Sequence, residues 1–266
     1  MLTKTLLFAL VGLSSLSEAA PMEKRASSKR GLGFKKGLQQ RTDLFSSSSW
    51  GYSWEGRVDD KNVMYKLNGK EFVPMLHDNG DMFLNAWDGD VKGAIKAGAK
   101  NILSFNEPDE CKENSGGTCI PVDVAAKAHI KHIQSIASAN KNVRIGSPAV
   151  TNGPESDKGL AYLKTFMSKC QGCRIDFIAA HWYDEQGNLE KFKSHFTNMY
   201  KEINKDGGNR KIWVTEWAAP GGSQQFMKDA MSWMDTSNVI ERYAYYNVEE
   251  TLTANGALSA LGKIYA

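Results

Sequence analysis

The sequence predicts a single compact α/β domain folded as a (β/α)8 TIM barrel, and three observations predict it. Eight short runs rich in β-branched and aromatic residues alternate with amphipathic stretches, the pattern of β/α units on a parallel sheet. The length of 266 residues, 41% of them hydrophobic, suits one large domain with a substantial core and leaves little chain for a second. The unusual polar residues fall where strands end, the face on which the βα loops of such a barrel gather.

In chain order, residues 1–19 read as a secretory signal. Lys4 supplies positive charge, Thr5 to Leu13 form an apolar run too short to span a bilayer, and Ser17, Ala19 and Ala20 are small enough for cleavage. Residues 20–25 read as a pro-segment ending at the dibasic Lys24-Arg25, which leaves 26–266 as the catalytic domain. Strand candidates begin at Leu32-Gly33-Phe34, Trp50-Gly51-Tyr52, Phe72 to Leu76 and Ile102 to Phe105. Four more follow at Val143 to Gly146, Ile175 to Ala180, Ile212 to Thr215 and Val239 to Tyr246, and eight strands suggest closure. Helical spacing links Val124, Ala128, Ile133, Ile136 and Ala137, then Leu189, Phe192, Phe196, Met199, Tyr200 and Ile203, then Phe226, Met227, Ala230, Met231 and Met234. These are read as helix faces packed on the barrel. Helices after the first two strands are poorly marked, so the barrel is expected to be a reduced one.

Composition excludes several classes. A formal net charge of +3 with scattered basic residues argues against nucleic acid as a partner, and no membrane association is expected once the signal is removed. Four cysteines in a secreted chain favour disulfides, with three connectivities open. Local pairing, Cys111 with Cys119 and Cys170 with Cys173, is preferred because each pair closes one short loop. No His completes a tetrahedral zinc set with Cys170-x-x-Cys173, so no metal and no cofactor is expected. Asn-x-Ser/Thr sequons are absent, and N-glycosylation is not expected.

Two glutamates carry the chemical argument. The fourth strand ends in Asn106-Glu107-Pro108, where Pro108 bars continuation of the ladder and is expected to hold Glu107 extended at the strand tip. The seventh ends in Thr215-Glu216-Trp217, a second acid flanked by apolar residues. Strands four and seven face each other across a barrel, so the two tips share a cleft. Two carboxylates on opposite sides of one sugar are what cleavage of a glycosidic bond requires, one protonating the leaving oxygen and the other attacking the anomeric carbon.

With these motifs the chain resembles the glycosidases that carry Asn-Glu-Pro at the fourth strand and a nucleophilic Glu at the seventh. Among them it is similar to the fungal Asl1-like proteins of glycoside hydrolase family 128. The matching pieces run in order through Ser49-Trp50-Gly51-Tyr52-Ser53-Trp54, Val73-Pro74-Met75-Leu76, Ser104 to Asp109, Ile145 to Ala149, Asp176 to Tyr183, Thr215-Glu216-Trp217 and Arg242 to Tyr246. The resemblance implies a (β/α)8 enzyme acting on β-1,3-glucan, with Glu107 as acid/base, Glu216 as nucleophile and Asn106 bonding the hydroxyl next to the reacting carbon. It also implies that His181 or Tyr183 orients a catalytic Glu. The chain departs from the family at Gly51 and Ser53, where an aromatic residue and Asn are common, and at His77, which stands where the family often has Trp.

Trp50, Tyr52, Trp54 and Trp217 sit at strand ends, where water is expected to reach them and sugar C–H faces to stack on them. His181, Trp182 and Tyr183 end the sixth strand, and their alternation sends two toward the cleft and one into packing. The expected partner is therefore a polysaccharide, handled by a monomeric secreted or wall-associated hydrolase, expected to be an endo-β-1,3-glucanase. Two rivals share these features: a related barrel cutting another β-linked polysaccharide, and a non-catalytic glucan-binding wall protein.

Overall fold

The computed structural model describes residues 29–60 and 65–266. The expected signal and pro-segment lie outside the described residues. Eight parallel strands follow one another: β1 Arg30–Gly33, β2 Trp50–Tyr52, β3 Glu71–Phe72, β4 Asn101–Ile102, β5 Arg144–Ile145, β6 Phe177–Trp182, β7 Lys211–Trp217 and β8 Ile240–Tyr245. Six form one sheet in the order β3-β2-β1-β8-β7-β6, so the first and last strands are neighbours. β4 and β5 pair separately. Isolated bridges, Met75 with Leu103 and Gly146 with Phe177, lie between that pair and the sheet on either side. The expected closed barrel is therefore seen as a six-stranded parallel sheet and a parallel pair, not as one continuous ladder.

Helices α1 Asp81–Ala97, α2 Val122–His129, α3 Ser135–Ala139, α4 Gly159–Lys169, α5 Leu189–Ile203, α6 Gln224–Thr236 and α7 Ala260–Tyr265 cover the outer faces. Among the described residues only a short 3-10 turn, Gln39–Leu44, separates β1 from β2, and no helix separates β2 from β3. The apolar stripes of α5 and α6 bury Phe192, Phe196, Met199 and Ile203, and Phe226, Met227, Ala230, Met231 and Met234. The stripe through Val124 holds only in part: Ile133, Ile136 and Ala137 are buried and Ala128 packs against the core, but Val124 is exposed and α2 buries Ala125, Ala126 and His129. A π-helical segment, Ile130–Gln134, joins α2 to α3 and widens the turn, so positions before and after it do not keep one 3.6-residue phase.

Two cores result. The larger lies between the strands and the helices. The smaller fills the space enclosed by the strands with Trp50, Tyr52, Val73, Met75, Leu103, Ala149, Phe177, Ala179, Trp213 and Ala244. Large rings from β2, β6 and β7 fit there because β1 contributes glycine: a Cβ on Gly31 would stand 2.1 Å from the Trp50 ring, and one on Gly33 2.9 Å from Trp54. Below this layer the Arg242 guanidinium lies over Trp213, 4.5 Å from its centroid, and pairs with Glu71 at 2.8 Å. The disulfides join Cys111 to Cys119 and Cys170 to Cys173, the local pairing expected.

Candidate active site

Strand alternation and one irregularity decide which side chains reach the site. The β6–β7 register shifts between Ala180 and His181, after which His181 stands opposite Glu216 and Trp182 opposite Trp217. His181 and Glu216 therefore point inward together, while the two tryptophans point outward. Glu107, His181 and Glu216 each bring one ligand-type atom within 4.8 Å of the others. His181 Nδ1 lies 2.7 Å from Glu107 Oε1 and 3.6 Å from Glu216 Oε2. All three side chains are buried.

Glu216 is held from several directions. The Trp54 indole N–H donates to Oε1 at 2.7 Å, and the Tyr183 hydroxyl donates to Oε2 at 2.6 Å. Trp54 reaches it from a left-handed backbone, φ 58°, in a loop pinned by the Ser53 hydroxyl on the Arg57 carbonyl. Burial pushes the Glu216 carboxyl above its ordinary range; His181 opposes the shift, Glu107 adds to it, and the Tyr183 and Trp54 donors oppose it. Burial also works against charge on His181, but Glu216 and Glu107 outweigh it and the imidazole is raised overall. The charges of Glu216 and His181 are thus set by each other and by burial.

Glu107 is not extended, contrary to the expectation from Pro108: its φ is 40°. Its N–H still donates to the Ala149 carbonyl at 2.8 Å, as a continuation of the strand. Its carbonyl, however, accepts from Glu110 and Thr118, each at 3.1 Å, so the chain turns at Glu107 itself. Those bonds sustain a sparsely populated backbone region at a buried carboxylate. Asp109 secures the turn, accepting from Thr151 N, from the Thr151 hydroxyl at 2.7 Å and from Gly159 N at 2.7 Å. Asn106 donates from Nδ2 to the Gly116 carbonyl at 3.1 Å, and its buried Oδ1 has no partner.

Four of the aromatic assignments are corrected. Trp50 and Tyr52 are fully buried in the inner core, where Trp50 bonds the Lys29 carbonyl and Tyr52 the Thr215 carbonyl. Trp182 packs outward on Phe192 and Phe196 of α5, and Trp217 on Tyr245 at 4.9 Å. None of the four offers a face to solvent, because strand alternation turns each toward one of the two cores. Trp54 is half-buried and Tyr183 is 39% exposed, so of the assigned aromatics these two line open space at the acids.

That space has two parts. A cavity of about 200 Å³ is bounded by Lys35, Trp54, His77, Asn106, Gly116, Glu216, Tyr246 and Asn247. A second, of about 470 Å³, is bounded by Glu107, Glu110, Thr151, Lys158, Tyr183, Glu216 and Tyr246 among others. Glu216 and Tyr246 border both, and Tyr246 went unmarked as a site residue although it ends the eighth strand candidate. The Lys158–Glu110 ion pair, 2.8 Å, closes the far side of the larger cavity.

The sequence profile described as "Glycosyl hydrolase catalytic core" matches residues 31–265. The chain belongs to this family. It is an Asl1-like domain of glycoside hydrolase family 128. Alkali-sensitive linkage protein 1 of Schizosaccharomyces pombe is 26% identical over 90% of the chain, which spans only 44% of that relative's length. A curdlan-specific exo-β-1,3-glucanase of subgroup III from Blastomyces gilchristii, solved with glucose, is 34% identical, with a TM-score of 0.78 over 90% of this chain and 98% of that one. A subgroup VII oligosaccharide-binding protein from Cryptococcus neoformans shares the fold at 20% identity, with a TM-score of 0.67 over 91% and 93% of the two chains.

Proposed function

We propose that the chain is a secreted, retaining β-1,3-glucanase, a monomeric (β/α)8 barrel that cuts fungal-type wall glucan by a two-glutamate double displacement. The observation that carries the reading is the buried Glu107–His181–Glu216 cluster, whose acids lie close enough for one to attack directly. Retaining enzymes hold their carboxyls about 5 to 5.5 Å apart, and a separation of about 6.5 Å or more would leave room for an intervening water. The 34% identical relative supports β-1,3-glucan as the substrate class.

The two cavities support a polarity for the bound chain. Asn106 and Trp54 border only the smaller cavity, so the glycone sits there with Asn106 Oδ1 free to accept its hydroxyl. Glu107 borders only the larger one, where a leaving oxygen would be protonated. Glu216 borders both and attacks between them. A glycone cavity less than half the size of its neighbour favours removal of short units from a chain end, as in the exo-acting relative.

In the first step Glu107 gives its proton to the departing oxygen while Glu216 forms the glycosyl ester. In the second Glu107 takes a proton from water, which releases the sugar with its configuration kept. Reducing-end release from β-1,3-, β-1,4- and β-1,6-glucans by the purified mature protein tests the substrate, and the product sizes test end attack. Glu107→Gln should lose roughly 100- to 10,000-fold on unactivated glucan. Near-normal hydrolysis by that variant removes Glu107 from the mechanism. Binding of glucan without hydrolysis of any substrate would instead favour a binding protein.

A further inference from the structure

A groove of about 720 Å³ runs between α4 and α5, outside the strands, and shares Asn152, Gly153, Pro154, Glu155 and Lys158 with the aglycone cavity. The loop from Thr151 to Lys158 is thus a ridge with the catalytic cleft on one side and the groove on the other. We infer that this groove is a second binding site for the same neutral polysaccharide, taking the chain as it continues past the aglycone cavity and over the ridge. The inference rests on the reading of the cleft as a glucanase site.

The chemistry of the lining selects the ligand. Leu160 and Ala161, both half-buried, give the groove apolar surface of the kind sugar C–H faces cover. At its wall stands Trp182, 1% exposed, whose Nε1 has no partner, beside His195, whose Nε2 has none either. The two rings are 5.1 Å apart. Trp182 Nε1 is a donor only, and the neutral His195 ring, pushed down to about 4 by burial, provides an acceptor or a donor at Nε2. A hydroxyl can accept from the one and donate to the other, which an apolar ligand cannot. An anionic ligand is disfavoured for a separate reason. The groove's lysines are already paired, Lys158 with Glu110, Lys164 with Glu202 and Lys191 with Asp184.

The test compares laminaritriose with a longer β-1,3-linked oligosaccharide able to span both spaces, by calorimetric titration of the Glu107→Gln chain. The longer ligand should bind at least about tenfold more tightly than the trisaccharide. Ser194→Trp, which fills the groove from the exposed side of α5, and His195→Phe, which keeps the ring but removes Nε2, should each erase much of that gain and leave trisaccharide affinity unchanged. Hydrolysis of the trisaccharide by the chain with intact acids is measured in parallel. If it is cut and the length gain is absent, or survives in both variants, the groove holds water only and the second site is overturned while the glucanase reading stands. If neither ligand binds and neither is cut, both readings fall.

Discussion

Removing the Tyr183 hydroxyl isolates what holds Glu216, the proposed nucleophile, in the protonation state that attack would need. Tyr183→Phe deletes a 2.6 Å O–H···O bond to a carboxylate that is itself 5% exposed. Hydrogen bonds to charged groups contribute about 1.5 to 3 kcal/mol. The low end applies because the tyrosine ring meets solvent, and about 1.4 kcal/mol is a factor of ten in a protonation equilibrium. The sign is fixed: the hydroxyl stabilises the ionised carboxylate, so its loss raises a carboxyl that burial already raises. Attack requires the ionised form, so activity in the variant should disappear at higher pH than in the parent as the solution is acidified. At a pH on the acid limb of kcat/KM the variant should be about tenfold slower, and the deficit should narrow toward the plateau. The assay is kcat/KM against pH with an activated aryl β-glucoside or laminari-oligosaccharide, for which leaving-group protonation is not limiting. His181→Asn should move the limb the same way, since His181 is the largest influence opposing the rise. An acid limb that stays put, or moves to lower pH, in Tyr183→Phe would refute Glu216 as the group that must be ionised.

Other outcomes follow from the same geometry. Trp217→Ala, in the outer core, should cost roughly 3 to 5 kcal/mol of stability by denaturant unfolding. Trp54→Phe should melt nearly as the parent does but lose activity with the 2.7 Å bond to Glu216. The reverse pattern would return Trp217 to the substrate surface. Fully buried His129, pushed down to about 3, is neutral in the fold and charges on unfolding. Its depressed value means stability present above about pH 6.5 and lost as pH falls toward 3, on the order of 5 kcal/mol at the limit, and His129→Gln should flatten that slope of melting temperature against pH. Proton NMR of the first product should show the β-anomer before mutarotation, and an initial α-anomer would recast Glu216 as a base acting through water. Thiol titration in denaturant should find no reactive cysteine; two or more would refute the pairing of Cys111 with Cys119 and Cys170 with Cys173.

The strands were legible because each carries a short β-branched or aromatic run, and all eight candidates overlap an observed strand or run directly on from one. Glu107, His181 and Glu216 were legible as polar residues at strand ends. What the sequence did not disclose was phase. Period-two alternation says that Glu216 and Trp217 face opposite ways, but not which way. The shift at Ala180–His181 that settles it comes from pairing between strands. The same ambiguity put Trp50 at the surface when Gly31 of β1 had made room for it inside. Local rules also failed at Glu107, where bonds from Glu110 and Thr118 outweigh the extended preference before proline. The Trp54 and Tyr183 bonds to Glu216 join residues far apart in sequence, and no local pattern records them.

Glu216 receives Trp54 from the loop after β2, Tyr183 from the end of β6 and His181 from β6 itself. A free glutamate samples many rotamers, and ordering such a side chain costs about 1.5 to 2 kcal/mol of entropy. Here the cost falls once, when the chain folds, because the donors are in place before any sugar arrives. Substrate binding need not immobilise the attacking oxygen, and the solvent has no dipoles to rearrange around it as its charge is spent. The aim of the proposed nucleophile, Glu216, is therefore a property of the folded state, and it should survive intact in a protein that has never met a glucan.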